Sequence, residues 1–145
     1  MNVLNFPDVN VWLALIWEDH IHSENARAWF ESAASEQFLF CRITQISVLR
    51  LLTTQRVMGP DVQTMTSAWK LWDRVVADDR ISYLPEPDGL ETSFRAVSRL
   101  GSPSPKVWAD AYLLAFASAA RLKLVTFDRA LKSSKADVLV LGSRP

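Results

Sequence analysis

The chain has 145 residues, 49% of them hydrophobic, which suits one globular domain with a substantial core over residues 1–145. Lys plus Arg and Asp plus Glu each number 16, so the chain lacks the overall basic footprint of a protein that grips nucleic acid by its backbone alone. Cys41 is the sole cysteine, which excludes an intrachain disulfide and a Cys-based zinc site. The N-terminus has no basic region, and Asp8 and Asn10 interrupt its only apolar run, so neither a signal peptide nor a membrane span is supported and a cytoplasmic location is expected.

A first strand is expected over residues 3–6, followed by a buried, mostly apolar helix over residues 11–17. Ser23 is expected to cap a second, amphipathic helix that turns Ala26, Trp29, Phe30 and Ala33 inward. Residues 38–41 read as a buried parallel strand. Thr44 is then expected to cap a helix with Ile46, Leu49, Leu52 and Thr53 inside, broken by Gly59-Pro60. A longer helix is predicted from Asp61 to about Ala77, with Val62, Met65, Trp69, Trp72 and Val76 on its apolar face. Residues 81–84 read as a strand, residues 85–89 as a turn holding Glu86 and Asp88, and residues 90–100 as a short helix with Phe94 and Val97 inward. Ser102-Pro103-Ser104-Pro105 offers a Ser cap and a Pro at the first helical position, starting a nearly apolar helix over residues 105–120. Residues 122–127 and 137–141 complete the strands, with a turn over residues 128–132 between them. Trp12, Trp29, Trp69, Trp72 and Trp108 fall in these helices and are read as core. The alternation implies an α/β fold with a central, mostly parallel sheet of four to five strands covered on both faces.

Three aspartates stand apart from this scaffold. Asp8 sits where a strand hands over to a helix, a costly place for a charge unless a proton, a cation or hydrogen bonds compensate it; taken alone it reads as a helix cap. Asp110 is the only charged residue in the stretch 107–120. Its neighbours one turn away, Val107, Leu113 and Leu114, are apolar, so it is expected to face the sheet from the second turn, beyond the unpaired N–H groups. A core acid paired with Lys106 or an arginine is the structural alternative. Asp128 closes a strand as Asp8 does, and alone it reads as a turn residue. In open α/β sheets the binding crevice lies outside the carboxyl ends of the strands, so the three acids can converge there. Converging carboxylates repel unless a cation fills the site, and oxygen ligands without His or Cys suit Mg²⁺ or Mn²⁺, which activate water and stabilise charge on phosphoryl oxygens. Metal-assisted phosphodiester hydrolysis is the chemistry this pattern points to. His20 and His22 lack the spacing of a helical metal-binding pair and are read as surface or capping residues. Arg50, Arg56, Arg129 and Lys132 are candidate phosphate contacts, Arg50 and Arg129 being nearest in sequence to the acids.

Asp8-Val9-Asn10-Val11 after the first strand, Trp108-Ala109-Asp110-Ala111 in a late apolar helix and Thr126-Phe127-Asp128 closing a strand together resemble the PIN domain, and within it the VapC-type toxins of bacterial type II toxin–antitoxin systems. The likeness runs over essentially the whole chain, including residues 23–29 and 49–54. It implies a three-layer α/β/α PIN-like fold and a Mg²⁺- or Mn²⁺-dependent endoribonuclease that acts as a toxin on an RNA substrate, commonly forms a homodimer and is blocked by a cognate antitoxin protein. On this resemblance Asp8, Asp110 and Asp128 are the catalytic, metal-holding acids, and Asn10 and Thr126 are polar neighbours that orient acids or waters. Many relatives carry Glu where this chain has Ser47, and no acid occurs between Glu36 and Asp61, which leaves Ser47 at best holding a metal-bound water. One metal, held chiefly by Asp8 and Asp110 with Asp128 nearby, is expected. Two other readings are a catalytically weakened or inactive PIN-like module that binds RNA or protein, and a phosphatase of the haloacid dehalogenase type. The latter's motif wants a second Asp where this chain has Asn10.

Overall fold

The computed structural model describes residues 2–133 and 136–142. Strands β1 (Leu4–Pro7), β2 (Gln37–Phe40), β3 (Ile81–Tyr83), β4 (Lys123–Thr126) and β5 (Val138–Val140) form one sheet in the order β3-β2-β1-β4-β5, and every neighbouring pair is parallel. Parallel neighbours cannot be joined by hairpins, so helices fill the crossovers. These are α1 (Val9–Ile16) and α2 (Ser23–Ser32) after β1; α3 (Arg42–Leu52), α4 (Gln55–Met58) and α5 (Met65–Val76) after β2; and α6 (Leu90–Val97) and α7 (Val107–Ala120) after β3. A 3₁₀ turn at Arg129–Ser133 links β4 to β5.

Side-chain alternation along the strands separates two cores, giving the three-layer α/β/α architecture. Phe38 and Phe40 of β2 join Trp12, Val48 and Trp72 on the face covered by α1, α3 and α5. Leu39, between them, points the other way and joins Phe6, Leu113 and Phe116 under α6 and α7. Phe6 stacks on Phe116 at 4.7 Å, and Trp12 meets Phe40 edge-on at 6.3 Å and Trp72 at 6.0 Å. No helix among the described residues is long and apolar enough to cross a membrane.

Several helices begin elsewhere than their capping residues predict. Helix α3 starts at Arg42, with Cys41 at its cap, and Thr44 is buried in the first turn with its hydroxyl 3.3 Å from the Cys41 sulfur. The buried face is therefore Thr44, Gln45, Val48 and Leu52, and Ile46 is 56% exposed. Residues 59–61 form a 3₁₀ turn, and α5 begins only at Met65, where the Thr64 hydroxyl accepts the Ser67 N–H at 3.1 Å. Ala68 and Trp72 turn inward, while Met65 and Trp69 face solvent. Ser23 is the first residue of α2, with His22 at the cap, and α6 stops at Val97, which is partly exposed. Pro105 precedes α7: the Ser104 carbonyl accepts the Val107 N–H at 3.0 Å in a turn, and the helix proper follows. Trp108 is consequently 58% exposed rather than core. Ser, Thr and Pro mark several possible starts; which one is used depends on the helix phase that buries most apolar surface.

Trp12 is fully buried between aromatic partners from β2 and α5. Trp12→Ala is expected to cost roughly 3–5 kcal/mol, read as a lowered urea midpoint at unchanged slope.

Candidate active site

Since all five strands are parallel, their carboxyl ends share one edge of the sheet. Strand order reverses at β1, which has β2 on one side and β4 on the other, and a crevice opens at such a switch point. Asp8 leaves β1 there, while Thr126 ends β4 with Asp128 just beyond it. Helix α7 runs back into β4, so its first turn, carrying Asp110, returns to the same edge. Asp110 is an exposed residue in that first turn, not a second-turn residue facing the sheet, because α7 begins at Val107 and its buried face falls on Ala111 and Leu113 to Ala117.

Asp8 caps α1: its Oδ1 accepts the Val11 N–H at 3.1 Å. Its Oδ2 accepts the Thr126 hydroxyl at 2.5 Å, and the Asp8 N–H donates to the Val125 carbonyl at 2.9 Å. The fully buried Thr126 hydroxyl also accepts the Asp128 N–H at 3.0 Å, so one side chain ties both strand ends together. Burial pushes the Asp8 carboxyl up to about 6, and the charge of Asp110 adds to the rise. Hydrogen bonds from Thr126 and from the backbone of Val11 and Asn10 oppose it. Asp110 is also raised, by partial burial and then by the charge of Asp128. Asp128 itself holds a turn, accepting the Ala130 N–H at 2.9 Å.

The acids are thus coupled pairwise, Asp8 with Asp110 and Asp110 with Asp128, and none is paired with a cation among the described residues. No Lys106 or arginine partner compensates Asp110 there. No group of three or more His, Cys, Asp or Glu side chains among the described residues forms a ready metal cage. An all-oxygen donor set carrying uncompensated charge nonetheless fits a hard divalent cation, which commonly takes one or two carboxylates and fills its shell with water. Asp8 and Asp110 are the pair suited to hold it, with Asp128 beside them.

Asn10 reaches Asp8 through its backbone N–H, and the residue is exposed. Ser47 lies half-buried in the second turn of α3. Arg50 and Arg129 are exposed, and neither forms an ion pair with the three acids among the described residues. Glu86 does more than close a turn, accepting the Tyr112 hydroxyl at 2.9 Å. His22 stands at the cap of α2, and both histidines are half-buried rather than free at the surface: the His22 ring stacks on Phe127 at 4.2 Å, and His20 Nδ1 accepts the His22 N–H at 3.0 Å. Burial, and then the neighbouring His22, lower the His20 pKa. Sequence spacing carried no sign of this cluster, because its third member, Phe127, is more than a hundred residues away.

Residues 6–136 match the PIN domain family. The chain belongs to that family. This PIN domain is 45% identical over 129 residues to "Ribonuclease VapC41" of Mycobacterium tuberculosis, covering 85% of this chain and 88% of the relative. "Ribonuclease VapC44" of the same organism is 33% identical over 124 residues, covering 86% and 85%. Among solved structures, VapBC2 of Rickettsia felis bound to a promoter DNA fragment superposes with a TM-score of 0.71 at 11% identity, over 97% of this chain and all (100%) of that one. VapC20 of M. tuberculosis, described as a sarcin-ricin loop cleaving toxin, superposes at 0.66 with 15% identity, over 91% and 95%. At those identities the structures speak for the PIN fold alone.

With the folded Asp8 near 6 and an ordinary carboxyl at 3.8, folding favours the protonated acid. The group's contribution to metal-free stability is full below about pH 4 and is lost as pH rises through about 6. Asp8→Asn is therefore expected to flatten that part of the stability–pH profile and raise the metal-free melting temperature at neutral pH. Thr126→Val, which removes the opposing hydrogen bond, is expected to move the Asp8 titration midpoint further up, as followed by carboxyl ¹³C NMR.

Proposed function

We propose that this PIN domain is a Mg²⁺- or Mn²⁺-dependent endoribonuclease acting as the toxin of a type II toxin–antitoxin system. The observation that carries the reading is the desolvated Asp8 carboxylate, coupled to Asp110 at the switch point of a PIN sheet, with no cation among the described residues to balance it. Similarity over most of the chain to proteins named Ribonuclease VapC41 and Ribonuclease VapC44 supports the activity, and a cognate antitoxin partner belongs to the same proposal. A homodimer and a cytoplasmic setting belong to the same proposal, with RNA as substrate.

Asp8 and Asp110 would hold the cation, and Asp128 would keep the local field negative enough to favour it. When bound, the ion supplies Lewis acidity toward water and toward a phosphoryl oxygen. The chain's own part is orientation. The Thr126 hydroxyl and the Val11 N–H fix both oxygens of Asp8, so the carboxylate does not have to reorganise when charge develops nearby. Ser47 stands where the family resemblance would place a further acid, which favours a single ion and gives substance to the rival reading of a weakened or non-catalytic RNA-binding module.

Purified protein should cleave total tRNA or rRNA in Mg²⁺ or Mn²⁺ and stop in EDTA. Asp8→Asn and Asp110→Asn should each reduce cleavage by about a hundredfold or more while the protein stays folded. Either ion should raise the melting temperature of the wild type but not of Asp8→Asn. Folded wild type that binds RNA without metal-dependent cleavage would establish the module instead.

A further inference from the structure

The acid site lies at the middle of the sheet edge, and a second group lies along that edge on the β3 side. Arg42 is the first residue of α3, directly after β2, and its exposed guanidinium sits 4.9 Å from the centre of the Tyr83 ring at the end of β3. Its Nη1 donates to Gln45 Oε1 at 2.5 Å, and Gln45 is only 7% exposed. The guanidinium is therefore held by a buried neutral acceptor and an aromatic face, and among the described residues no carboxylate neutralises it. An arginine at the same sheet edge as the acids, held by neutral groups rather than by a carboxylate, is a cation kept available.

Strand register sets the spacing. Asn5 pairs with Phe38 and Phe40 with Tyr83, so counting along the parallel strands Asp8 is level with Cys41, and Tyr83 is one residue short of that level. Arg42 thus stands one strand from Asp8 and Tyr83 two strands away, roughly 5 and 10 Å at the ordinary strand separation. Tyr83 is 45% exposed.

We propose that Arg42 and Tyr83 form a binding subsite for single-stranded RNA beside the cleavage site, Arg42 taking a backbone phosphate and Tyr83 stacking a base. The chemistry matches the two features that mark single-strand binding, a fixed cation for the backbone and an aromatic face for a base. Arginine's planar fork suits phosphate, and its stacking on Tyr83 fixes the fork before RNA arrives. Gln45 is a positioning residue that holds the guanidinium from within the core. This subsite deepens the ribonuclease reading and rests on it for the identity of the polymer.

The test separates binding from cleavage. Affinity for a fluorescein-labelled oligouridylate is measured by anisotropy against salt in EDTA, where no cleavage occurs, and cleavage of total tRNA is measured in Mn²⁺. Arg42→Ala should weaken binding about tenfold and lower the salt slope by about one, and Arg42→Lys should keep the slope. Tyr83→Leu should weaken binding about tenfold with the slope unchanged. The same variants should raise KM in the cleavage assay far more than they lower kcat. Unchanged affinity and slope in folded Arg42→Ala and Tyr83→Leu, or no oligouridylate binding by the wild type, would overturn the subsite. Absent cleavage with the binding losses as expected would instead overturn the ribonuclease reading, and metal-independent cleavage its metal dependence, and either would leave the subsite standing.

Discussion

The carboxylate of Asp8 is held where water solvates it poorly, and much of this fold can be understood as the means of holding it there. β1 is flanked on both sides and ends at the point where strand order reverses, so the residue that follows it emerges between two crossover connections. Capping α1 engages one carboxylate oxygen and the Thr126 hydroxyl the other, each by one hydrogen bond that leaves a lone pair free for a cation. The cap role and the site role are therefore one arrangement. The hydrogen bonds hold the group in place, and burial together with Asp110 keeps its negative charge expensive until something compensates it.

That cost accounts for the rest of the edge. Asp110 arrives on the first turn of α7, and Asp128 arrives in the turn after β4, fastened to Thr126 by its own N–H. Neither has a cation partner among the described residues, although basic residues are as numerous as acidic ones in the chain. One cation along the edge, Arg42, is instead tied to the neutral Gln45 and Tyr83. Separating the fixed acids from a fixed cation leaves both signs of charge unneutralised along one edge.

The two apolar cores make this arrangement rigid. Phe6 stacks on Phe116 immediately before β1 delivers Asp8, and Trp12 locks α1 against β2 and α5 just after it. Asp8 is thus bracketed in sequence by two of the largest buried side chains of the protein, one facing each layer.

The sequence by itself determined the α/β/α layering and marked the three aspartates as candidates. Strand-to-helix alternation follows from hydrophobic period, and a lone Asp in the apolar stretch 107–120 or at a strand end stands out by type. The tertiary structure decided helix starts, the exposure of Ile46, Trp69 and Trp108, and the rim position of Asp110. Those depend on which phase of each helix buries the most surface, a choice among nearly equal local capping signals that only packing against the sheet resolves. The same holds for the Thr126 bridge, the histidine pair on Phe127 and the Arg42–Tyr83 contact. Each joins residues from different strands or loops, so local spacing along the chain carries no trace of it, and only the packing of the folded chain brings them together.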